Sequence, residues 1–245
     1  MINLELSSKQ QENYNSLKMM AEHMMRPYSR KYDTEEHTTP VEMEEVAKLL
    51  AQDRPVAAAK GGSSDTGIKN GGNMMAVTAY EAMCWGDVGL MLSMPGRGLG
   101  NAAISAVATP EQLEKFGGRF AAMAITEPGA GSDSANISTT AVLDGDEWVL
   151  NGEKIYVTDG GRCDVVVVWA TLDKSLGKAA IKSFLVEKGT PGCEVTRLEH
   201  KMGIRASDTA AITFSDCRIP KGNILGNPEV AKNAEERKKA FGGVM

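Results

Sequence analysis

Two short stretches carry the residue types and spacings that could do chemistry. Residues 125–133 read Ile-Thr-Glu-Pro-Gly-Ala-Gly-Ser-Asp. Closely spaced glycines let successive backbone amides converge on an anion, and Ser132 adds a hydroxyl donor. The spacing is not the Gly-x-Gly-x-x-Gly of a dinucleotide fingerprint. On residues alone the stretch reads as a turn between strands or as an anion cradle. Residues 156–161, Tyr-Val-Thr-Asp-Gly-Gly, form the second. Strand alternation puts Tyr156 and Thr158 on one face. An aromatic plate beside a hydroxyl suits a flat heterocycle, and an aromatic covering a sheet edge has the same pattern. Gly96-Arg97-Gly98-Leu99-Gly100 lacks a strand–helix context and reads as a helix break with Arg97 facing a partner.

Other chemistries find little support. Cys84, Cys163, Cys193 and Cys217 are scattered without Cys-x-x-Cys spacing, as expected of isolated thiols in a reducing compartment. His23, His37 and His200 share no local motif with a Ser or Cys nucleophile. No metal site and no hydrolase triad is expected.

The elements that must position these residues change character along the chain. The first 120 residues read as helices. Ser8 and Gln11 have capping-box spacing, and Tyr14, Leu17, Ala21, Met24 and Tyr28 follow on one face of a helix that Pro27 is expected to end or kink. Thr39-Pro40 opens a second helix with Val46, Leu49 and Leu50 inward. Residues 61–72 hold five glycines and read as a loop. Met74, Val77, Tyr80 and Met83 mark a third helix, residues 88–107 a fourth interrupted near Pro95, and Thr109-Pro110 caps a short one ending by Gly117. From residue 121 short strands take over: 121–126, 147–150, 154–157, 165–170, 182–187, 193–198 and 210–214. Asn151-Gly152 reads as a hairpin turn, since a type I′ turn needs positive φ at both central residues. The predicted class is α+β, an N-terminal all-helical domain followed by a β-sandwich or barrel-like domain. The expected division is 1–120, 121–228, and 229–245 as the opening of a further helical domain.

The bulk numbers narrow the partners. A net charge of −5 and the lack of a basic stripe argue against binding a phosphate backbone, so no nucleic acid is expected. The longest apolar run, 165–170, is far short of the roughly 20 residues of a membrane span. The N-terminus lacks a basic region followed by an apolar core. A cytoplasmic protein without a membrane span is the expectation.

The order of features resembles the acyl-CoA dehydrogenase family. The matching segments are Ala124–Asp133, Leu150–Gly161, Leu198–Thr209 (LEHKMGIRASDT) and Cys217–Gly226 (CRIPKGNILG), which cover roughly residues 120–227 in the family's order. The resemblance implies an FAD flavoprotein that removes hydrogen from the α,β-positions of an acyl-CoA thioester, giving a trans-2-enoyl-CoA. It places Thr126, with Ala124 and Ile125, at the flavin's pyrimidine edge, and Gly131 and Ser132 at the pyrophosphate. Tyr156 would lie against the isoalloxazine and Thr158 near N5. Ser132 and Lys178 are the substrate-binding candidates, Lys178 with Lys182 for the CoA phosphates or simply as solvated surface lysines. An electron-transferring flavoprotein is the implied electron acceptor, and the chain is expected to form homo- or hetero-oligomers.

The departures from the family pattern are specific. Met123 stands where relatives often have Tyr, Tyr156 where many have Trp, and Asn136 where a small residue is expected. Family members continue into a helical bundle that carries the glutamate base, so no catalytic base is expected in this chain. Glu127, inside the first motif, is expected to be structural. Two alternatives stay open: a non-catalytic partner subunit or degenerate paralogue, and a flavoprotein oxidase on the same scaffold.

Overall fold

A computed structural model describes residues 5–52, 71–96 and 98–230. Most of the glycine-rich stretch 61–72, Arg97 and residues 231–245 lie outside the described residues. The chain divides into two compact units, Met1–Met94 with Lys201–Ser207, and Pro95–His200 with Asp208–Met245.

The first unit is helical, with α1 (Ser8–Met24), α2 (Arg26–Thr34), α3 (Glu42–Gln52), α4 (Gly71–Gly86) and α5 (Val88–Leu92). The break between α1 and α2 falls beside Pro27, whose ring is tolerated in the first turn of the new helix. The capping box at the start of α1 is formed by Ser7 and Gln10, one residue earlier than expected. Ser7-Ser8-Lys9-Gln10-Gln11 satisfies the pattern in both registers, and the extended backbone at Ser7 decides between them. Ala21, Met25, Tyr32, Met43, Val46, Leu50, Met83, Leu90 and Met94 pack with Ala206 into one core. Helix α4 forms where expected but presents a different face. Thr78, Ala82 and Met83 are buried, whereas Val77 and Tyr80 are exposed. Its evenly apolar sequence gives no single stripe from which the buried side can be read.

The second unit is built on one eight-stranded sheet preceded by α6 (Leu99–Val107) and α7 (Pro110–Phe116). The strands are β1 (Ala121–Ala124), β2 (Thr140–Asp144), β3 (Glu147–Thr158), β4 (Val165–Thr171), β5 (Ile181–Glu187), β6 (Cys193–Leu198), β7 (Thr209–Pro220) and β8 (Ile224–Leu225). Their order is β6-β7-β3-β2-β4-β5-β8, with β1 also paired to β4. Strand β4 is apolar from Val165 to Ala170 because both of its faces are covered. Val166, Val168 and Ala170 meet Trp148, Leu150, Val157, Ile212, Phe214 and Ile219, so the sheet folds over one core in the manner of a sandwich. Val165, Val167 and Trp169 meet Ala103, Ile104 and Phe116 of the helices. Each fully buried valine of β4 contributes about 1.5–3 kcal/mol relative to an exposed one. Helix α6 lies directly on β1, because a β-carbon on Gly100 would sit 2.4 Å from the Ala122 carbonyl oxygen. The Gly-Arg-Gly-Leu-Gly stretch thus ends in a close helix–strand contact at Gly100.

Asn151-Gly152 is not a hairpin turn. Strand β3 runs unbroken through it from Glu147 to Thr158. The hairpin lies earlier, where Asp144 pairs with Glu147 around Gly145, whose φ is 62°. At Asn151 the side chain instead accepts from Asp216 N–H at 2.8 Å, beside an irregularity where β7 carries an extra residue. The conformational freedom that recommends Asn-Gly for a turn also suits an irregular point inside a ladder.

Candidate functional site

The two chemistry-bearing stretches meet beside the C-terminal half of β3. Strand β2 covers one edge of β3 only as far as Asn151. Beyond that point the chain leaving β1 runs past it, and Ile155 N–H donates to the Thr126 carbonyl at 2.9 Å. Against β7, Lys154 pairs with Ile212 and Val157 with Ala210, so Ile155 and Tyr156 together face Ala211. This is a β-bulge, and Tyr156 takes φ 57° within it. The bulge changes the parity of the strand. Trp148, Leu150 and Lys154 point inward before it and Val157 after it, which leaves Tyr156 and Thr158 both exposed.

The turn that follows is fixed by Asp208. Its carboxylate accepts Gly161 N–H at 3.0 Å, and its carbonyl accepts Asp159 N–H at 3.1 Å. Asp159 is buried, with φ 58°. Neither Asp208 nor the bulge carries a sequence signal of its own, because both depend on a strand pairing that is remote in the chain.

The loop after β1 is held at its neck by an ion pair that sequence reasoning did not assign. Lys154 Nζ lies 2.8 Å from Glu127 Oε1 with both side chains buried, and it also donates to the Ile125 carbonyl at 3.0 Å. Glu127 further accepts the backbone N–H groups of Thr139, at 2.9 Å, and Ser138. Burial alone would raise the Glu127 pKa, but the bonds from Lys154, Thr139 and Ser138 outweigh it and hold the carboxyl below its ordinary range. Desolvation pushes the Lys154 ammonium down to about 8, against the pull of Glu127. A clue was present in the sequence. Lys154 has the same parity as Trp148 and Leu150, and a lysine on an inward face needs a buried anionic partner.

Within this frame the expected site residues fall as follows. Ala124 is buried at the end of β1, and Ile125 and Thr126 are half-buried where the chain meets β3. Gly131 and Ser132 are exposed on the loop between Glu127 and Thr139. Among the described residues, no protein group hydrogen-bonds the hydroxyls of Thr126, Ser132 or Thr158, or the backbone N–H groups of Gly131, Ser132 and Asp133. Lys178 is exposed on a separate 3₁₀ turn, Lys174–Ala180, which packs beside the loop's own 3₁₀ turn, Ser134–Asn136. Lys182 is not a surface lysine. It is buried in β5 and donates to the Glu229 carbonyl at 2.6 Å. The four cysteines are free thiols. Burial pushes Cys163 and Cys193 up to about 12 and Cys217 to about 11, so none is a ready thiolate.

Residues 122–217 match the profile of the acyl-CoA dehydrogenase middle domain. Acryloyl-CoA reductase (NADH) of Anaerotignum propionicum is 34% identical over 232 residues, covering 89% of this chain and 56% of that protein. The short-chain specific acyl-CoA dehydrogenase of Clostridium acetobutylicum is 38% identical over 159 residues, 62% of this chain and 41% of that one. The structure of butyryl-CoA dehydrogenase from Megasphaera elsdenii superposes with a TM-score of 0.80 at 29% identity, covering 99% of this chain and 64% of that chain.

The chain carries the middle domain of the acyl-CoA dehydrogenase family.

It spans about half the length of the curated relatives it matches. Both stretches that converge at β3 fall within the family's middle domain. Among the described residues, no helix is long and apolar enough to cross a membrane.

Proposed function

We propose that this chain holds FAD along Ala124–Thr126, Gly131–Ser132 and Tyr156–Thr158, and that it serves in the α,β-dehydrogenation of an acyl-CoA thioester. The observation that carries this reading is the bond from Ile155 N–H to the Thr126 carbonyl, which sets the two motifs side by side. The donor set fits an anionic, flat cofactor. Ser132 and the N–H groups of residues 131–133 form an exposed arc suited to a pyrophosphate. Thr126 offers a hydroxyl for the polar edge of a ring system. Tyr156, 63% exposed on its bulge, offers an aromatic face with the Thr158 hydroxyl close by in the strand.

Bound there, FAD would supply hydride acceptance, which converts an acyl-CoA to the trans-2-enoyl-CoA once a base removes the α-proton. This chain's part is to bind the cofactor, orient it and shield one side of it from water. None of its residues is assigned as the base. The Glu127 oxygens are committed to Lys154, Ser138 and Thr139 and are turned away from solvent. Ser132 and Lys178 remain the candidates for contact with the acyl-CoA, and an electron-transferring flavoprotein is the proposed electron acceptor.

The relationship to a reductase supports a second reading, in which the same site runs toward saturation of an enoyl-CoA at the expense of NADH. Titrating the purified chain with FAD while following flavin fluorescence tests the common part. Binding is expected, and Ser132→Ala should weaken it about tenfold or more, the loss of one hydrogen bond to a charged group. A chain that leaves flavin fluorescence unchanged at every concentration would refute both readings. Dye reduction with an acyl-CoA panel, against NADH loss with acryloyl-CoA, separates the two directions. Oxygen uptake during turnover would point to an oxidase instead.

A further inference from the structure

The loop that carries Ser132 leaves β1 at Ile125 and returns to the sheet at Thr139. One side chain reaches both ends of it. From the middle of β3, Lys154 Nζ holds the Ile125 carbonyl on the way out and Glu127 just beyond it. Glu127 in turn holds the N–H groups of Ser138 and Thr139 on the way back. A buried ion pair is a poor source of net stability, because apolar groups of similar size often serve the fold as well. Directional bonds to two separate points of a loop supply something an apolar pair does not, a fixed separation between its ends. Ile155, next to Lys154, bonds the Thr126 carbonyl between those points.

We propose that Lys154 is a positioning residue, which acts through Ile125 and Glu127 to hold Thr126 and the Gly131–Ser132 arc at the spacing that one dinucleotide spans. The proposal rests on the FAD reading above. It makes a specific pH dependence follow. Lys154 loses its proton near pH 8, and Glu127 is the one ionisable side chain whose charge acts on it among the described residues. Above that pH the charge-assisted bonds at the neck weaken, and FAD affinity should fall. Fold stability should move the other way. The folded-state pKa lies below the ordinary lysine value, so between about 8 and 10.5 the unfolded chain binds more protons, and this group's contribution to stability rises with pH. A purely structural pair would not separate the two trends.

The experiment compares the full chain with Lys154→Met/Glu127→Gln. Lys154→Met alone would leave a buried carboxylate unpaired and lose the fold, so Glu127→Gln alone serves as the second variant. Thermal melting reports the fold, and flavin fluorescence titration from about pH 6.5 to about pH 9.5 reports FAD affinity. The wild-type chain should bind FAD about tenfold more weakly at the alkaline end. The double variant should melt as a folded protein, bind about tenfold more weakly near neutrality, and show no pH transition. Glu127→Gln should bind with intermediate affinity. A wild-type chain without FAD affinity at any pH overturns the cofactor reading and the proposal with it. A wild-type chain that binds, matched by the double variant at every pH, overturns the proposal alone.

Discussion

A β-carbon on residue 152 would lie 2.4 Å from the Thr139 hydroxyl oxygen and 2.7 Å from its Cα, on a backbone at φ 150°. Gly152 is therefore required twice over, by conformation and by the closeness of the chain returning from the loop. Gly152→Ala should destabilise the protein by about 2–4 kcal/mol, since strain and a clash against backbone act together. Urea unfolding checks this, and a midpoint within error of wild type would contradict the close approach. The same position shows what was hidden in the sequence. Asn-Gly announces an unusual backbone, but it does not say whether a turn or an irregular ladder uses it. Thr126, Ser132, Tyr156 and Thr158 could be named as candidates because they sit in two compact motifs. The bond that joins those motifs runs between backbone groups, which carry no residue signature.

Among the elements, α7 was the most legible and also the most incompletely read. Thr109 caps the helix as expected, and with Gln112 it completes a capping box, Thr109 N–H donating to Gln112 Oε1 at 3.0 Å. The same amide also donates from Nε2 to the carbonyls of Gly222 and Ile224, both at 2.8 Å. One glutamine thus caps a helix and fastens the turn between β7 and β8. Gln112→Leu should cost about 2–3 kcal/mol, because it leaves two carbonyls without a donor and removes half of a cap. A melting temperature unchanged by this substitution would mean that water replaces both bonds. Strand β4 could be read because both its faces are apolar. Strand β2 could not, since Val142 and Leu143 are adjacent, are both exposed, and break the alternation that marks a strand. Strand β8 has two residues, too few for any periodicity.

At the scale of the whole molecule, the change from helices to strands at residue 121 was plain, whereas the compact units divide elsewhere. Helices α6 and α7 belong with the sheet, and Lys201–Ser207 belongs with the helices. That insert is tied in by Glu36, which accepts Lys201 N–H at 2.9 Å and the Arg205 guanidinium at 3.0 Å. Ser93 adds a hydrogen bond to the Ala206 carbonyl at 2.9 Å. No local pattern foretells these partners, which lie more than a hundred residues away in the chain. Glu36→Ala should free the insert at a local cost of about 1–3 kcal/mol. Limited proteolysis should then cut within 201–207, where Met202 and Ile204 are already exposed, before cutting elsewhere in the helical unit. Equal cleavage of wild type and variant would show that Glu36 does not secure the segment.

The chain passes between its units at 94/95, again at 200/201, and once more at 207/208. Recombination with a relative is therefore governed by three junctions rather than one. A hybrid joined only after residue 94 would pair one parent's Glu36 with the other parent's residues 201–207. Its success would depend on whether seven residues far downstream were exchanged along with the helices.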